Sequence, residues 1–219
     1  MSFDIQYFEN EKAVIGCDEV GRGPLAGPVV ACAVMVQKKE YLKHLTSLGI
    51  MDSKKLTSKK RQAIIQALKI EWPKIKLKKS YTLYPGISFV LEEVSPKKID
   101  QINILQASLL GMKLASEKLS SSTNLGVAHI LVDGNKTFHC LHPISGVVKG
   151  DSKSLIIGLA SIIAKEFRDE KMKSYDELFP GYFFSEHAGY PTAKHREAIA
   201  KIGITPIHRK SFKGVKEYL

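Results

Sequence analysis

Two uninterrupted apolar runs open the chain. Ala13-Val14-Ile15-Gly16-Cys17 and the run from Pro28 to Val36 have strand length and no helical period, so both predict buried strands. Between them lie two adjacent carboxylates, Asp18-Glu19, at the mouth of a glycine-rich loop that contains Arg22. Pro28 suits the first position of a strand, where its missing N–H is tolerated. The period then changes. Thr57 precedes a stretch with Ile64, Ile65 and Leu68 on one face, which predicts a capped helix over 58–69. A basic strand is expected near 75–84. Ser95-Pro96 reads as a helix start, with proline at the first helical position. Ile99, Ile102, Leu105, Leu109 and Met112 follow at steps of three and four, predicting a helix over 96–119. Residues 127–132 read as a strand ending at Asp133-Gly134-Asn135, and 146–149 as a short strand ending at Gly150-Asp151. An apolar helix is expected over about 153–172, then an aromatic, turn-rich stretch over 176–190. Thr192 caps a last helix, with Gly203 just past its end.

A pair of strands followed by alternating strands and helices argues for an α/β protein with a mixed sheet. Residues from about 175 onward read as a helical appendage. The 219 residues suffice for one large domain, alone or with such an appendage, and need no disulfide or metal staple. Hydrophobic content of 44% and charged content of 25% are ordinary for a soluble globular protein. The charge balance is not. Thirty-three Lys and Arg against 22 Asp and Glu give +11, which favours a polyanionic partner such as nucleic acid over a merely soluble basic surface. The 3 cysteines, Cys17, Cys32 and Cys140, include no C-x-x-C pair, so a disulfide framework is not expected and a reducing compartment fits. The first residues are unlike a signal peptide, and the longest apolar run, Leu155 to Ala164, is too short to span a bilayer. A cytoplasmic monomer with no membrane partner is expected.

Asp18-Glu19, Asp133 and Asp151 share one context: each follows a short apolar run and lies close to a glycine. Strand ends of an open α/β sheet converge on the ligand crevice. Carboxylates gathered there repel one another, and a divalent cation resolves the repulsion; oxygen-only ligands favour Mg²⁺ or Mn²⁺. Two such ions about 4 Å apart serve in-line phosphoryl chemistry, one activating water and the other stabilising the leaving oxygen. Asp151 has an alternative as a helix N-cap. The loop Gly21-Arg22-Gly23 offers backbone groups to a sugar or phosphate, or is simply a tight hairpin turn. It lacks the G-K-[ST] ending of a nucleotide P-loop. Lys54 and Lys55 are phosphate contacts or a solvated loop. Tyr190, on a Gly-Tyr-Pro turn, stacks on a base or sugar or is a plain exposed turn residue. His139-Cys140-x-His142 has too few ligands, too closely spaced, for zinc.

The stretch Gly16-Cys17-Asp18-Glu19-Val20-Gly21-Arg22-Gly23-Pro24-Leu25-Ala26-Gly27-Pro28 resembles the N-terminal signature of type 2 ribonuclease H. So do further blocks in order: Asp52-Ser53-Lys54-Lys55-Leu56, Ser95-Pro96 with Ile99-Asp100, Val132-Asp133-Gly134-Asn135, Lys149-Gly150-Asp151-Ser152, the helix around Ala160 to Asp169, His187-x-Gly189-Tyr190-Pro191-Thr192 and His208-Arg209-x-Ser211-Phe212. The resemblance implies a ribonuclease H-like mixed β-sheet flanked by helices, with a catalytic domain over 1–174 and a C-terminal helical substrate-binding segment over 175–219. It implies an endonuclease that cuts the RNA strand of RNA–DNA hybrids. Such an enzyme also incises DNA 5′ of embedded ribonucleotides, leaving 3′-hydroxyl and 5′-phosphate ends. Asp18, Glu19, Asp133 and Asp151 would be the catalytic acids that bind Mn²⁺ or Mg²⁺. Gly21, Arg22 and Gly23 would read the ribose 2′-hydroxyl, which distinguishes RNA from DNA. Tyr190 would stack on the sugar after the ribonucleotide, and Lys54 would meet phosphate. The family usually has Lys where this chain has Ala188. The type 3 relative usually carries an extra N-terminal domain, for which the first acid, at residue 18, leaves no room. No motif suggests a sliding-clamp-binding tail.

Overall fold

The computed structural model describes residues 2–9, 11–50 and 56–219. The strands are β1 (Ala13–Val20), β2 (Val29–Val36), β3 (Ser80–Tyr84), β4 (Ile87–Val94), β5 (Val127–Asp133) and β6 (Ile144–Val147). The helices are α1 (Leu42–Ser47), α2 (Ser58–Ala67), α3 (Pro96–Ser120), α4 (Gly150–Lys153), α5 (Leu155–Leu178), α6 (Phe184–His187) and α7 (Ala193–Ile202). The strands form one six-stranded sheet in the order β3-β4-β2-β1-β5-β6. The first four of that order pair antiparallel, and β1, β5 and β6 run parallel. The expected mixed sheet flanked by helices is therefore what the chain forms.

Both opening strands read as continuous apolar runs because both faces of the sheet are covered. Ala13, Ile15 and Cys17 of β1 pack with Ala31, Ala33 and Met35 of β2 against Met112, Ala115 and Leu119 of α3. Val14, Val30, Cys32 and Val34 face the other way, onto Ile156, Leu159, Ala160 and Ile163 of α5, with Leu45 and Ile64 from α1 and α2. Gly16 is what lets α5 approach so closely. A Cβ there would lie 2.7 Å from the backbone nitrogen of Ile157.

Thr57 caps α2 as expected, accepting from the Lys60 N–H, and Ser95 and Thr192 do the same for α3 and α7. Several boundaries differ from the sequence reading. The basic strand expected over 75–84 begins only at Ser80, because Trp72–Lys74 forms a 3-10 turn and Lys78 takes a positive φ. The strand β4 is absent from the sequence reading; it is the return arm of a hairpin turned at Pro85-Gly86, where Gly86 has φ 79°. The helix α3 is kinked at Asn103 (φ 64°), whose side chain accepts from the Gln106 N–H and so caps the second segment. The kink moves the buried face from the Ile99 row to Ala107, Ser108, Gly111 and Ala115. The expected strand over 146–149 ends at Val147, and Lys149 turns the chain with φ 57°. The expected helix over 153–172 is broken at Ser154 and then runs on to Leu178.

That break is stapled from the N-terminus. The buried carboxylate of Asp4 accepts from the Ser154 hydroxyl and, at 2.8 Å, from the Leu155 N–H. It satisfies donors at the start of α5 that have no partner within the helix. Burial raises the pKa of Asp4, and these hydrogen bonds oppose the shift. The C-terminal residues form a further apolar cluster. Tyr182, Phe184, Ala198, Ile199, Ile207 and Val215 close on Leu25 and Ala26 of the glycine loop and on Met172 of α5.

Candidate active site at the ends of β1 and β5

The sheet register brings the first two acids together. Cys17 of β1 pairs with Val132 of β5 as the last rung of a parallel ladder, so Asp18, still within β1, and Asp133, the last residue of β5, follow it on neighbouring strands. Asp18 lies on the same face of β1 as Gly16, by the two-residue period of a strand. Gly16 meets Ile157, and one helical turn beyond Ile157 stands Ser161, whose side chain hydrogen-bonds Asp18. A further turn gives Lys165. Asp18, Glu19, Arg22, Asp133, Ser161, Lys165 and Tyr190 line one cleft of about 450 Å³, with Arg61 of α2 at its side.

Asp151 is not among the residues that line this cleft; the next connection reaches it through the neighbouring Gly150. The Gly150 N–H donates to the Asp133 carboxylate at 2.7 Å, and a Cβ on Gly150 would crowd that same oxygen at 3.2 Å. Asp151 follows, buried in the first turn of α4. It is the N-cap of neither adjoining helix: Lys149 precedes α4, and Ser154 caps α5. The capping alternative from the sequence is thereby removed, and so is the expectation that a strand leads directly into Asp151.

The electrostatics are those of crowded acids. Burial raises the pKa of Asp18 well above the carboxylate range, and the charges of Glu19 and Asp133 raise it further, against hydrogen bonds from Ser161 and the Glu19 N–H. Burial also raises Glu19, opposed by Arg22, which pairs with it at 3.3 Å. Among the described residues no three carboxylates, histidines or cysteines converge into a closed metal cage. Asp18, Asp133 and the flanking Glu19 nevertheless fit a hard divalent cation. The donors are oxygen, their repulsion falls when a cation sits between them, and Mg²⁺ characteristically takes only one or two carboxylates and keeps several waters.

The glycine loop is held from beneath by two arginines that the sequence reading did not single out. Arg209, 0% exposed, donates to the carbonyls of Gly21, Arg22 and Gly27 at 2.5, 2.9 and 3.0 Å. Arg168 of α5, also 0% exposed, donates to Pro28, Ala188 and Ala26 at 3.1, 2.9 and 3.2 Å. Neither is paired with a carboxylate in these contacts; backbone oxygens take the place of a counter-ion. Gly21 (φ 92°) leaves no room for a side chain, since a Cβ would lie 2.3 Å from Arg168 Nε. The available signal was an arginine interrupting the apolar face of a long helix.

Tyr190 stands over Gly23: a Cβ there would lie 3.4 Å from Tyr190 Cε1. The ring is 40% exposed, so its outer face is open to a stacking partner. Arg22 and Tyr190 therefore line the acid-bearing cleft, with Gly23 beside the tyrosine ring and Gly21 buried behind against Arg168. Ala188 has φ 49°, and its carbonyl is one of the Arg168 acceptors. The expected polar loop at Asp52-Ser53-Lys54-Lys55, with the candidate phosphate contact Lys54, lies outside the described residues. In the stretch weighed for zinc, Cys140 Sγ donates to the His142 carbonyl and His142 pairs with Ser120.

A mixed sheet with paired acids where its parallel ladder stops, and a glycine loop beside them, is the architecture of the ribonuclease H-like nucleases. The ribonuclease H2 of Pyrococcus horikoshii OT3 superposes with a TM-score of 0.68 at 24% identity, over 94% of this chain and 96% of that one. Bst-RNase HIII, solved in complex with Mn²⁺, superposes with a TM-score of 0.68 at 16% identity, over 95% of this chain and 69% of that one. At these identities the likeness is one of fold. The sequence settles the family. The ribonuclease HII family model matches residues 15–215. The ribonuclease HII of Francisella tularensis subsp. tularensis (strain WY96-3418) is 42% identical over 206 residues, covering 94% of this chain and 98% of that protein. The chain belongs to the ribonuclease HII family, and is a ribonuclease H-type endonuclease.

Proposed function

We propose that the enzyme hydrolyses the RNA strand of RNA–DNA hybrids and incises DNA on the 5′ side of an embedded ribonucleotide, leaving 3′-hydroxyl and 5′-phosphate ends. The observation that carries this reading is the pairing of Cys17 with Val132, which sets Asp18 and Asp133 on neighbouring strands where the parallel ladder stops, in a cleft also lined by Arg22 and Tyr190. A net charge of +11 supports a polyanionic substrate held by the surface around that cleft.

Asp18, Glu19, Asp133 and Asp151 would hold Mg²⁺ or Mn²⁺. When bound, the divalent cation activates water and stabilises the leaving oxygen of the phosphodiester. The chain's own residues do the rest. Ser161 and the Glu19 N–H orient the Asp18 carboxylate, and the Gly150 N–H orients that of Asp133. Arg22 covers Glu19 and is 53% exposed at its side chain, so it can exchange that partner for a phosphate.

Gly21, Arg22 and Gly23 present backbone to the ribose 2′-hydroxyl. With the carbonyls of Gly21 and Arg22 fixed by Arg209, the loop meets it without reorganising, which is the condition for recognising a single hydroxyl. Tyr190 stacks on the following sugar and so senses an RNA-to-DNA junction. Lys54 contacts phosphate. Residues 1–174 carry the catalysis, and 175–219 form the segment that presents Tyr190 to substrate. The cysteine usage fits a cytoplasmic enzyme, a monomer is the default state, and no described helix is long and apolar enough to cross a membrane.

The test is substitution of the two paired acids. Asp18→Asn and Asp133→Asn should each abolish cleavage of a hybrid while retaining hybrid binding. Cleavage surviving in either variant would remove that acid from the mechanism.

A further inference from the structure

Beneath Tyr190 runs a chain of histidines that the proposed chemistry does not use. The Thr205 N–H donates to His208 Nδ1 at 2.9 Å and the Thr205 hydroxyl, 2.8 Å from the same nitrogen, is free to donate there too, so we take that nitrogen to carry no proton. His208 Nε2 therefore carries it, and lies 3.1 Å from His195 Nε2. His195 Nδ1 lies 2.9 Å from the carbonyl of Tyr190, which can only accept. All the hydrogen bonds are satisfied in one order: Thr205 to His208, His208 to His195, His195 to Tyr190. His187 is fixed the same way, accepting from the Gly189 N–H at Nδ1 and donating to the Tyr182 carbonyl at Nε2. Its ring stacks on that of His195 at 4.6 Å. Phe184 closes the cluster against both His195 and His208.

We propose that His195 and His208 are positioning residues for Tyr190: their one-directional relay sets the turn that holds the tyrosine ring over Gly23, and with it selection of substrate at the cleft. His195 is 0% exposed and His208 2%, so the relay has no competing water at its centre. Its far end is joined to the glycine loop as well, since Ala26 bridges to His208 and the next residue, Arg209, grips Gly21. The two sides of the recognition wall are thus hung from adjacent residues. A polar pair at this place is otherwise hard to account for. The surrounding cluster of Leu25, Met172, Tyr182, Phe184 and Ile199 would be filled more simply by apolar side chains.

This inference rests on the reading that Tyr190 contacts substrate, and the experiment separates the two. Ring nitrogens of the 15N-labelled full chain report tautomers directly. His195 is expected protonated only at Nδ1 and His208 only at Nε2; the opposite tautomer at either, or a doubly protonated ring at neutral pH, overturns the relay. Cleavage of a duplex with one ribonucleotide is then compared in four enzymes: wild type, Tyr190→Ala, His195→Leu and the double variant. His195→Leu should lower kcat/KM about 10-fold, mainly through KM, and add nothing once Tyr190 is gone. Equal losses in both backgrounds would mean that His195 does not act through Tyr190. His195→Asn, whose amide N–H can still donate to the Tyr190 carbonyl, should recover most of the loss. His208→Gln, which keeps a donor for His195, serves if the leucine variant does not fold, and should be near wild type where His208→Leu is impaired. If Tyr190→Ala cleaves normally, the substrate role of Tyr190 fails while the tautomer result stands.

Discussion

The guanidinium of Arg209 donates to the carbonyl of Gly21 at 2.5 Å, across 188 positions of the chain. That contact makes the last block of the sequence a structural part of the first. Replacing Arg209 by Met leaves the carbonyls of Gly21, Arg22 and Gly27 without their donors. Each unsatisfied buried group costs about 1–3 kcal/mol, so a loss of at least about 3 kcal/mol is expected in urea unfolding. Arg209→Lys should restore little, because one ammonium cannot reproduce a planar fork aimed at three oxygens. A loss below about 1 kcal/mol for Met would show the clamp to be dispensable.

Gly21 and Gly23 should respond differently to alanine. At Gly21 the positive φ and the 2.3 Å approach to Arg168 Nε mean that Gly21→Ala displaces the clamp and lowers stability. At Gly23 the nearest atom is Tyr190 Cε1 at 3.4 Å, and the backbone needs no left-handed geometry. Gly23→Ala should therefore fold normally but shift the tyrosine ring, lowering discrimination between ribonucleotide-containing and all-DNA duplexes. Thermal unfolding beside a two-substrate cleavage assay separates the effects.

The acid site should be destabilising in the absence of a cation. Asp18 and Glu19 have folded pKa values above their unfolded ones. The folded state thus holds these protons more tightly, and stability rises as pH falls through the folded pKa values toward the unfolded ones. At neutral pH the charges oppose folding. Asp18→Asn should accordingly be more thermostable than wild type while inactive. Millimolar Mg²⁺ or Mn²⁺ should raise the wild-type melting temperature and leave that of Asp18→Asn nearly unchanged. An equal metal-induced shift in both proteins would place the cation elsewhere.

The histidine cluster gives the opposite sign. Burial lowers the pKa of both His195 and His208 to about 4, and each lies near another imidazole that disfavours a second charge. Below the usual value near 6.5 the unfolded chain takes up protons that the folded one refuses, so stability falls between pH 6.5 and about 4. Each unit of depression is worth about 1.4 kcal/mol, enough for the pair to contribute visibly to acid unfolding. Urea midpoints across this range should decline less steeply in the His195→Asn/His208→Gln double variant. Parallel declines would show that these rings titrate alike in both states.

Where the sequence succeeded, it did so through local patterns. The β1 and β2 runs and the caps Thr57, Ser95 and Thr192 all follow from period or from turn chemistry over a few residues. The hairpin turn at Pro85-Gly86 carried a local signal for β4 as well. The kink in α3 was hidden because Ile99 to Met112 keeps helical spacing straight through Asn103, and only its positive φ reveals the change of face. The hold of Arg209 on Gly21 and the relay from Thr205 to Tyr190 join residues far apart or buried together, and no spacing rule reaches them. Asp151 was legible as an acid beside a glycine; its place in a helical first turn depended on where β6 ends.

On the proposed function, this cleft reads a ribose and cuts beside it. The most direct measurement uses an end-labelled DNA duplex with one embedded ribonucleotide, beside an all-DNA duplex and a long hybrid, each with Mg²⁺, Mn²⁺ or chelator. Metal-dependent incision of the first duplex only on the 5′ side of the ribonucleotide, cleavage of the hybrid, and an intact all-DNA strand are expected. Cleavage of the hybrid with the single-ribonucleotide duplex left whole would contradict junction sensing by Tyr190. Incision of the all-DNA duplex would contradict recognition of the 2′-hydroxyl by the glycine loop.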